Sequence, residues 1–423
     1  MPNYRMPRET CTMIVYLANG EVEAFRRNGV DHVDGFAFEW EHEDVVHLHV
    51  NRPAHGFGRE HKCLFSTLIS SRENAPSDVD YFVHIDATSG PTAFRRDAGG
   101  WEEMPLSFIP SKEDLYSRNK GILEIGVLEK KRVMIVGLGS FGSQISIELA
   151  KAGVGCFSLW DFDRVELHNL ARHSCTTKDL GRLKTDAILD AIKGKNPYAT
   201  VDTYALDINE HIDLMEAEID RSDLVICATD NNLSRMNLSK ALLRHNKVCI
   251  FGRAVTRAEG GDVFRYRPGG ACYCCLIGNG WFDRGAEEIT TVNDPRIPVY
   301  ASDPHALVQV GLSADIEPIC NLMVKLSLVE LSRGADSGLK DLEKELVFDY
   351  YMWANRRERR YKNWVPMPTA GNKPTILRWY GAMIQRDGGC ALCAEDRVIL
   401  DEGDAIPQFD NGDTSDINVN LEI

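Results

Sequence analysis

The run VMIVGLGSFGSQISIELAKAG, Val133–Gly153, decides the fold. Four apolar residues, Val133–Val136, give way at once to Gly137-Leu-Gly139-Ser-Phe-Gly142. Apolar residues then recur at helical spacing through Ile145 and Leu149. The pattern is a buried strand, a glycine-rich turn and a helix. The first glycine permits the tight turn, the second lets a phosphate approach the backbone, and the third lets the helix pack on the strand. A helix start adds unpaired N–H groups and the positive end of its dipole, both suited to an anion. A second apolar run, CFSLWDFD, reaches Asp161, about where a ribose-binding carboxylate belongs. A turn with no phosphate partner is the plainer alternative, and the ordered strand, loop, helix, strand and aspartate weigh against it. The glycine pattern alone admits NAD or ATP.

Outward from this unit, strands alternate with amphipathic helices from Lys131 to about Arg333. That alternation predicts an α/β fold, Rossmann-like, with a mainly parallel sheet covered by helices. Residues 10–110 read differently, as the short alternating runs TMIVYLA, GFAFEWEH, DVVHLHV and DYFVHID broken by NRPAHG, ENAPSD and SGPT. They predict a small α+β or mostly β domain over 1–110. The composition shifts at Pro110–Asp114, where Ser-Lys-Glu-Asp suggests a helix start. The main domain is expected over 111–393, with the strand-like LVFDYYMW near its end and a cysteine pair closing it.

The 423 residues carry 48 basic and 63 acidic side chains, a net charge of −15. Hydrophobic residues at 43% and charged residues at 26% are ordinary globular values, which excludes wholesale disorder. No apolar run is long enough to span a membrane, and Met1–Thr12 lacks a signal-peptide core. The cytoplasm is therefore the expected compartment, where structural disulfides are rare and the 12 cysteines are thiols, metal ligands or catalytic groups. The acidic balance argues against a nucleic-acid partner held by phosphate neutralisation. Residues 394–423 hold nine carboxylates against Arg397, so −8 of the −15 belongs to a tail read as flexible.

The residues after Asp161 choose between the nucleotides. DFDRVELHNLARH, GRLKTDA and DLVICATDNNLSR supply Asn169, Arg172, Lys184 and Asp230 in that order. Asn169 and Arg172, three apart, can share one turn and face one phosphate group. Lys184 begins a further helix, and Asp230 follows a strand where a carboxylate can hold magnesium through its waters. A hydride-transfer site needs an apolar nicotinamide pocket instead. A triphosphate attacked at its α-phosphorus needs this density of cations. Each charge taken singly is more ordinarily a solvated surface group. Their succession behind a glycine-rich loop reverses that.

The stretch Leu115–Cys393 resembles the ThiF/MoeB family, the adenylating fold shared with ubiquitin-activating enzymes. The motifs that carry the resemblance are LYSRNKGI, GLGSFG, DFDRVELHNLARH, Gly181–Lys184, Ala228–Asn231 and two cysteine pairs. Ser140 stands where this family more often has glycine, a small replacement that leaves the loop intact. The resemblance implies MgATP-dependent adenylation of the C-terminal glycine of a ubiquitin-like protein, with pyrophosphate released. By position, Gly137, Gly139, Ser140, Gly142, Asp161 and Asn231 would bind the nucleotide, with Asp161 on the ribose. Asn169, Arg172 and Lys184 would contact phosphates, and Asp230 would hold magnesium. Arg118 would reach the triphosphate of a partner subunit, which implies a homodimer. Extra leading and trailing segments suggest onward transfer to a conjugating enzyme, as in bacterial ubiquitin-like conjugation operons linked to antiviral defence. Peptide adenylation of the microcin-maturation type and a non-catalytic scaffold are the alternatives. Intact Arg172 and Asp230 argue against the scaffold.

Cys272-Tyr-Cys274-Cys275 and Cys390-Ala-Leu-Cys393 are two CxxC knuckles suited to tetrahedral structural zinc. Their long separation agrees with the family, in which zinc joins the crossover region to the C-terminal segment. Residues 276–319 contain no cysteine, although family members that form a thioester usually carry one in the corresponding crossover. Cys175, Cys274 and Cys320 are the candidates left for a transfer thiol, with Cys320 also reading as core. His47 and His49 share one strand face by period-two alternation. No downstream Ser and Asp at a metalloprotease spacing accompany them, so they read as surface or packed histidines. The leading domain is expected to clamp a substrate or partner.

Overall fold

The structure is a computed structural model, and it describes residues 13–40, 43–53, 58–68, 77–109, 115–255, 258–278, 311–356 and 376–394. The expected helix start at Pro110–Asp114 and the acidic tail from Glu395 onward lie outside the described residues. Most of the cysteine-free crossover, 279–310, also lies outside them. The chain divides into two units, Met1–Ser117 and Arg118–Ile423.

In the first unit β1 (Ile14–Ala18) runs straight into α1 (Asn19–Arg27). Then come β2 (His32–Trp40), β3 (Val45–His49), β4 (Arg59–Ser66), β5 (Tyr81–Asp86), β6 (Gly90–Asp97), β7 (Gly100–Met104) and β8 (Leu106–Ile109). They form one mixed eight-stranded sheet in the order β7-β6-β5-β4-β2-β3-β1-β8. Val22 and Phe25 of α1 pack with Leu17, Leu48, Phe65 and Val83, alternate strand residues that share one face. His47 and His49 do lie together, with ring centres 6.4 Å apart, and His49 Nδ1 is 3.0 Å from Glu21.

The second unit begins with the short α2 (Ile125–Leu128), β9 (Arg132–Val136), α3 (Ser140–Ala152) and β10 (Cys156–Trp160). It continues through α4 (Lys184–Lys195), β11 (Thr200–Tyr204), α5 (Ile212–Arg221), β12 (Leu224–Cys227), α6 (Asn232–His245) and β13 (Cys249–Ala254). β14 (Gly260–Tyr266), α7 (Tyr273–Gly278), α8 (Ser313–Leu331), α9 (Lys340–Glu345), β15 (Tyr350–Ala354) and β16 (Arg378–Ala382) complete it. The sheet order is β11-β10-β9-β12-β13-β14-β15-β16. The first five of these strands are parallel, and the last three add antiparallel pairings. This is the expected Rossmann-like, mainly parallel α/β sheet.

Alternation along the strands sends Val133 and Ile135 to one face and Met134 and Val136 to the other. The first face buries Ile145 and Leu149 of α3, Ile188 of α4, and Ile319 and Met323 of α8. The second buries Met215 of α5, Leu242 of α6, Leu276 of α7 and the four knuckle cysteines. Among the described residues no helix is long and apolar enough to cross a membrane. The run LVFDYYMW is strand only from Tyr350. Its first residues are held otherwise, because the buried Arg265 donates to the carbonyl oxygens of Leu346 and Phe348 at 2.7 and 2.8 Å.

Candidate functional site

β9 lies between β10 and β12, where the chain order of the parallel strands reverses. In open α/β sheets a crevice forms at the carboxyl ends of the strands at such a point, and here Gly137 opens it. Gly137 has φ of +85°, and a Cβ on it would lie 2.8 Å from the Ala228 carbonyl oxygen. Gly142 faces a harder limit, since its Cβ would stand 1.9 Å from the carbonyl oxygen of Gly137. Gly139 precedes the first residue of α3, and a Cβ there would meet nothing within 4 Å. Two glycines therefore serve the fold, and the middle one leaves room at a helix N-terminus.

Asp161 directly follows β10 and is tied to that loop. Its Oδ2 accepts from the Leu138 N–H at 2.7 Å, and its Oδ1 accepts from the Asp163 N–H at 2.8 Å. Burial disfavours its charge and holds its pKa above the ordinary 3.8, against the pull of Lys184. Lys184 opens α4, with Nζ 2.7 Å from Asp163 Oδ2 and 3.8 Å from Asp161 Oδ1. Burial opposes the ammonium, yet Asp161, Asp163 and Asp230 together outweigh it and hold the pKa above 10.5. Asp230 is exposed three residues beyond β12. Asn231 caps α6, its Oδ1 accepting from the Ser234 N–H at 2.8 Å.

The Asn169–Arg172 turn also forms, with the Arg172 N–H donating to the Asn169 carbonyl oxygen at 2.9 Å. The Asn169 amide, however, caps a short 3-10 turn by accepting from the Glu166 N–H at 2.9 Å. Arg172 is half-buried, and that burial lowers its pKa below the ordinary guanidinium value. Gln144 of α3 donates to the Arg172 carbonyl oxygen at 3.4 Å, and His173 reaches the Leu138 carbonyl oxygen at 2.6 Å. The structure thus gathers the glycine-rich loop, Asp161, Lys184, Asp230 and the Arg172 segment. Arg118 it leaves apart. Its neighbour Asn119 donates to Lys151 at the far end of α3, a 13-residue helix about 20 Å long.

Residues 118–331 match the ThiF family, just over half of the chain. The chain belongs to the ThiF family. It is similar to the molybdopterin-synthase adenylyltransferase of Escherichia coli strain K12, 39% identical over 155 residues, covering 35% of this chain and 59% of that one. It is also similar to the adenylyltransferase and sulfurtransferase MOCS3 of Culex quinquefasciatus, 34% identical over 170 residues, covering 39% of this chain and 38% of that one. The chain thus spans well short of the full length of either relative. Among solved structures, E. coli MccB with ATP aligns at 18% identity and a TM-score of 0.45, covering 64% of this chain and 68% of that one.

The knuckles of this ThiF-family chain meet across 118 positions of sequence. Cys272, Cys275, Cys390 and Cys393 are buried, with all four sulfurs within 4.8 Å of one another. The Sγ separations are 3.8 Å for Cys272–Cys275, 3.6 Å for Cys272–Cys390 and 3.3 Å for Cys275–Cys393. Disulfide sulfurs stand about 2.05 Å apart. Four thiolates about 2.3 Å from one zinc ion would stand about 3.8 Å apart, so the set fits a tetrahedral metal ion. The candidate transfer thiols are all buried. Burial, helped by Asp179, pushes the Cys175 thiol up to about 12. Cys320 lies in the α8 core, and burial raises its pKa far above the usual thiol value. Cys274 packs within the knuckle region.

Proposed function

We propose that this protein uses MgATP to adenylate the C-terminal glycine carboxylate of a ubiquitin-like protein in the cytoplasm. The observation that carries the proposal is the open helix N-terminus at Gly139 beside the buried pair Asp161 and Lys184. An anion fits the first, a ribose hydroxyl can bond the second, and the ammonium can reach a phosphate. The carboxylate oxygen attacks the α-phosphorus, the bond to the β-phosphate breaks, and pyrophosphate departs. Repulsion between two anions is the main barrier. Arg172 and Lys184, with a nearby amide at Asn169, would lower it. Lys184 must exchange Asp163 for phosphate as the nucleotide enters. Magnesium, held at Asp230, would neutralise the leaving pyrophosphate. Zinc in the four-cysteine site would have a structural part.

Arg118 is proposed to complete the site of a second copy, because the length of α3 separates it from the loop of its own chain. The first unit is proposed to clamp the substrate or partner. Onward transfer runs to a conjugating enzyme. The burial of Cys175, Cys274 and Cys320 supports direct capture of the acyl-adenylate by an acceptor over a thioester on these three cysteines. The same burial favours peptide adenylation as the second reading.

ATP–pyrophosphate exchange with candidate ubiquitin-like proteins tests this. Exchange should appear with the correct carrier and vanish in Asp230→Ala, whose fold and metal content stay normal. Absence of exchange with every carrier sinks the proposal, and full exchange in Asp230→Ala removes the magnesium assignment. Non-reducing gels of the same reactions then report whether a reducible adduct forms on this chain.

A further inference from the structure

His173 is not among the residues proposed to meet phosphate, and its ring makes two contacts of opposite kind. Nδ1 accepts from the Cys175 backbone N–H at 3.1 Å. A backbone N–H can only donate, so Nδ1 carries no proton. In the neutral ring the proton therefore sits on Nε2, which donates to the Leu138 carbonyl oxygen at 2.6 Å. Leu138 stands between Gly137 and Gly139, and Asp161 already takes its N–H. Both backbone polar groups of the residue at the centre of the loop are thus fixed. Two further bonds fasten the same segment to α3: Ser174 N–H to Ser143 Oγ at 3.3 Å, and Gln144 to the Arg172 carbonyl oxygen at 3.4 Å.

We propose that His173, as its neutral Nε2–H tautomer, is a positioning residue that sets the glycine-rich loop against the Asn169–Arg172 segment and thereby sets MgATP affinity. The ligand in this statement rests on the adenylation reading; the geometry belongs to the loop. A second proton would go on Nδ1 and face the Cys175 N–H, donor against donor. Burial is the largest influence on the ring and keeps its pKa below 6.5. Lys184 on α4 opposes protonation, while Asp179 and the Leu138 carbonyl favour it. Asp161 acts on the same loop through the Leu138 N–H, and Arg172 precedes the ring in its own segment. A histidine pKa lowered by folding gives stabilisation that is complete above 6.5. It is lost as pH falls through the lower folded value.

Amide-exchange protection at Cys175 and calorimetric MgATP affinity, followed from about pH 5 to about pH 8, test the proposal. In the unaltered protein both should fall together on the acid side. His173→Ala should lose the Cys175 protection and bind MgATP about tenfold more weakly near neutrality, the loss of roughly one buried hydrogen bond. In His173→Gln the side-chain oxygen accepts, the nitrogen donates and neither titrates, so most of the lost affinity should return without the acid decline. Identical acid profiles in the unaltered protein and His173→Gln would overturn the proposal, as would unaltered affinity in His173→Ala. If no version binds MgATP at any pH, the adenylation reading falls. The Cys175 protection curves then still decide whether His173 positions the loop.

Discussion

Gly139 and Gly142 sit three residues apart in one motif and carry opposite demands. A methyl group at Gly142 collides with backbone, which cannot swing aside as a flexible side chain could. Gly142→Ala should cost about 3 kcal/mol or more, visible as a lowered unfolding midpoint in denaturant. A methyl group at Gly139 enters open space. Gly139→Ala should fold normally and bind MgATP weakly, because the methyl occupies the ground a phosphate needs. Equal stability losses in the two variants would show that Gly139 is a packing residue as well. The spacing of the motif singles out all three glycines, but their reasons differ. Gly142 meets the Gly137 carbonyl five positions back, Gly137 needs its positive φ and meets Ala228 from a distant strand end, and Gly139 meets nothing. Asp163 and His173 were not legible. Asp163 gains its part from Lys184, 21 positions away, and His173 from Leu138, 35 positions away. Nothing within a local window around either residue names such a partner.

At the level of elements, strand–helix alternation was enough to read the parallel half of the second sheet. Each crossover there is closed by the helix that directly joins the two strands. The antiparallel extension was harder to read, because β14 pairs with β15 across the whole of α7, α8 and α9. The edge of β15 shows why a run of apolar residues overstates a strand. Arg265, fully buried, draws two carbonyl groups out of reach of the ladder and ion-pairs with Glu330 of α8 at 3.2 Å. The knuckles are an element-scale device too, since they join the start of α7 to the segment that follows β16. Chelation should therefore leave β9–β13 folded and open residues 376–394 to proteolysis. Zinc in the purified protein at one ion per chain, and protease cleavage in that segment only after chelation, is the expected result. Unchanged cleavage would mean the four thiols pack without needing a metal.

For the molecule as a whole, net charge is a poor guide to ligand. Eight of the fifteen excess negative charges fall after Cys393, while the proposed site draws on Arg172 and Lys184 from its own chain. The proposed contribution of Arg118 to a second copy is testable by mixing. Arg118→Ala and Asp230→Ala should each lack pyrophosphate exchange. Co-refolded or subunit-exchanged mixtures should recover a measurable part of it, because one site in the mixed pair has both residues. Failure of the mixture alongside a stable dimer in sedimentation would show that Arg118 acts within its own subunit or not at all. The sequence changes pattern near residue 110, from short alternating strands to strand–helix repeats, and the chain divides between Ser117 and Arg118. The particular strand order of the first unit was not legible, since β2 pairs with both β3 and β4, and β1 lies between β3 and β8.

The 118-position span between the cysteine pairs would give a metal ion held by them an order in time. Cys272 and Cys275 leave the ribosome long before Cys390 and Cys393, so they wait as a bidentate half-site open to loss of metal or to oxidation. Only a chain that has been made through Cys393 can supply all four ligands. Closure then removes the freedom of a very long loop, worth about 4–5 kcal/mol if it acts like a covalent cross-link of that span. Metal occupancy would in this way mark chains made at least through Cys393. A product interrupted between the two pairs would hold Cys272 and Cys275 without the second pair.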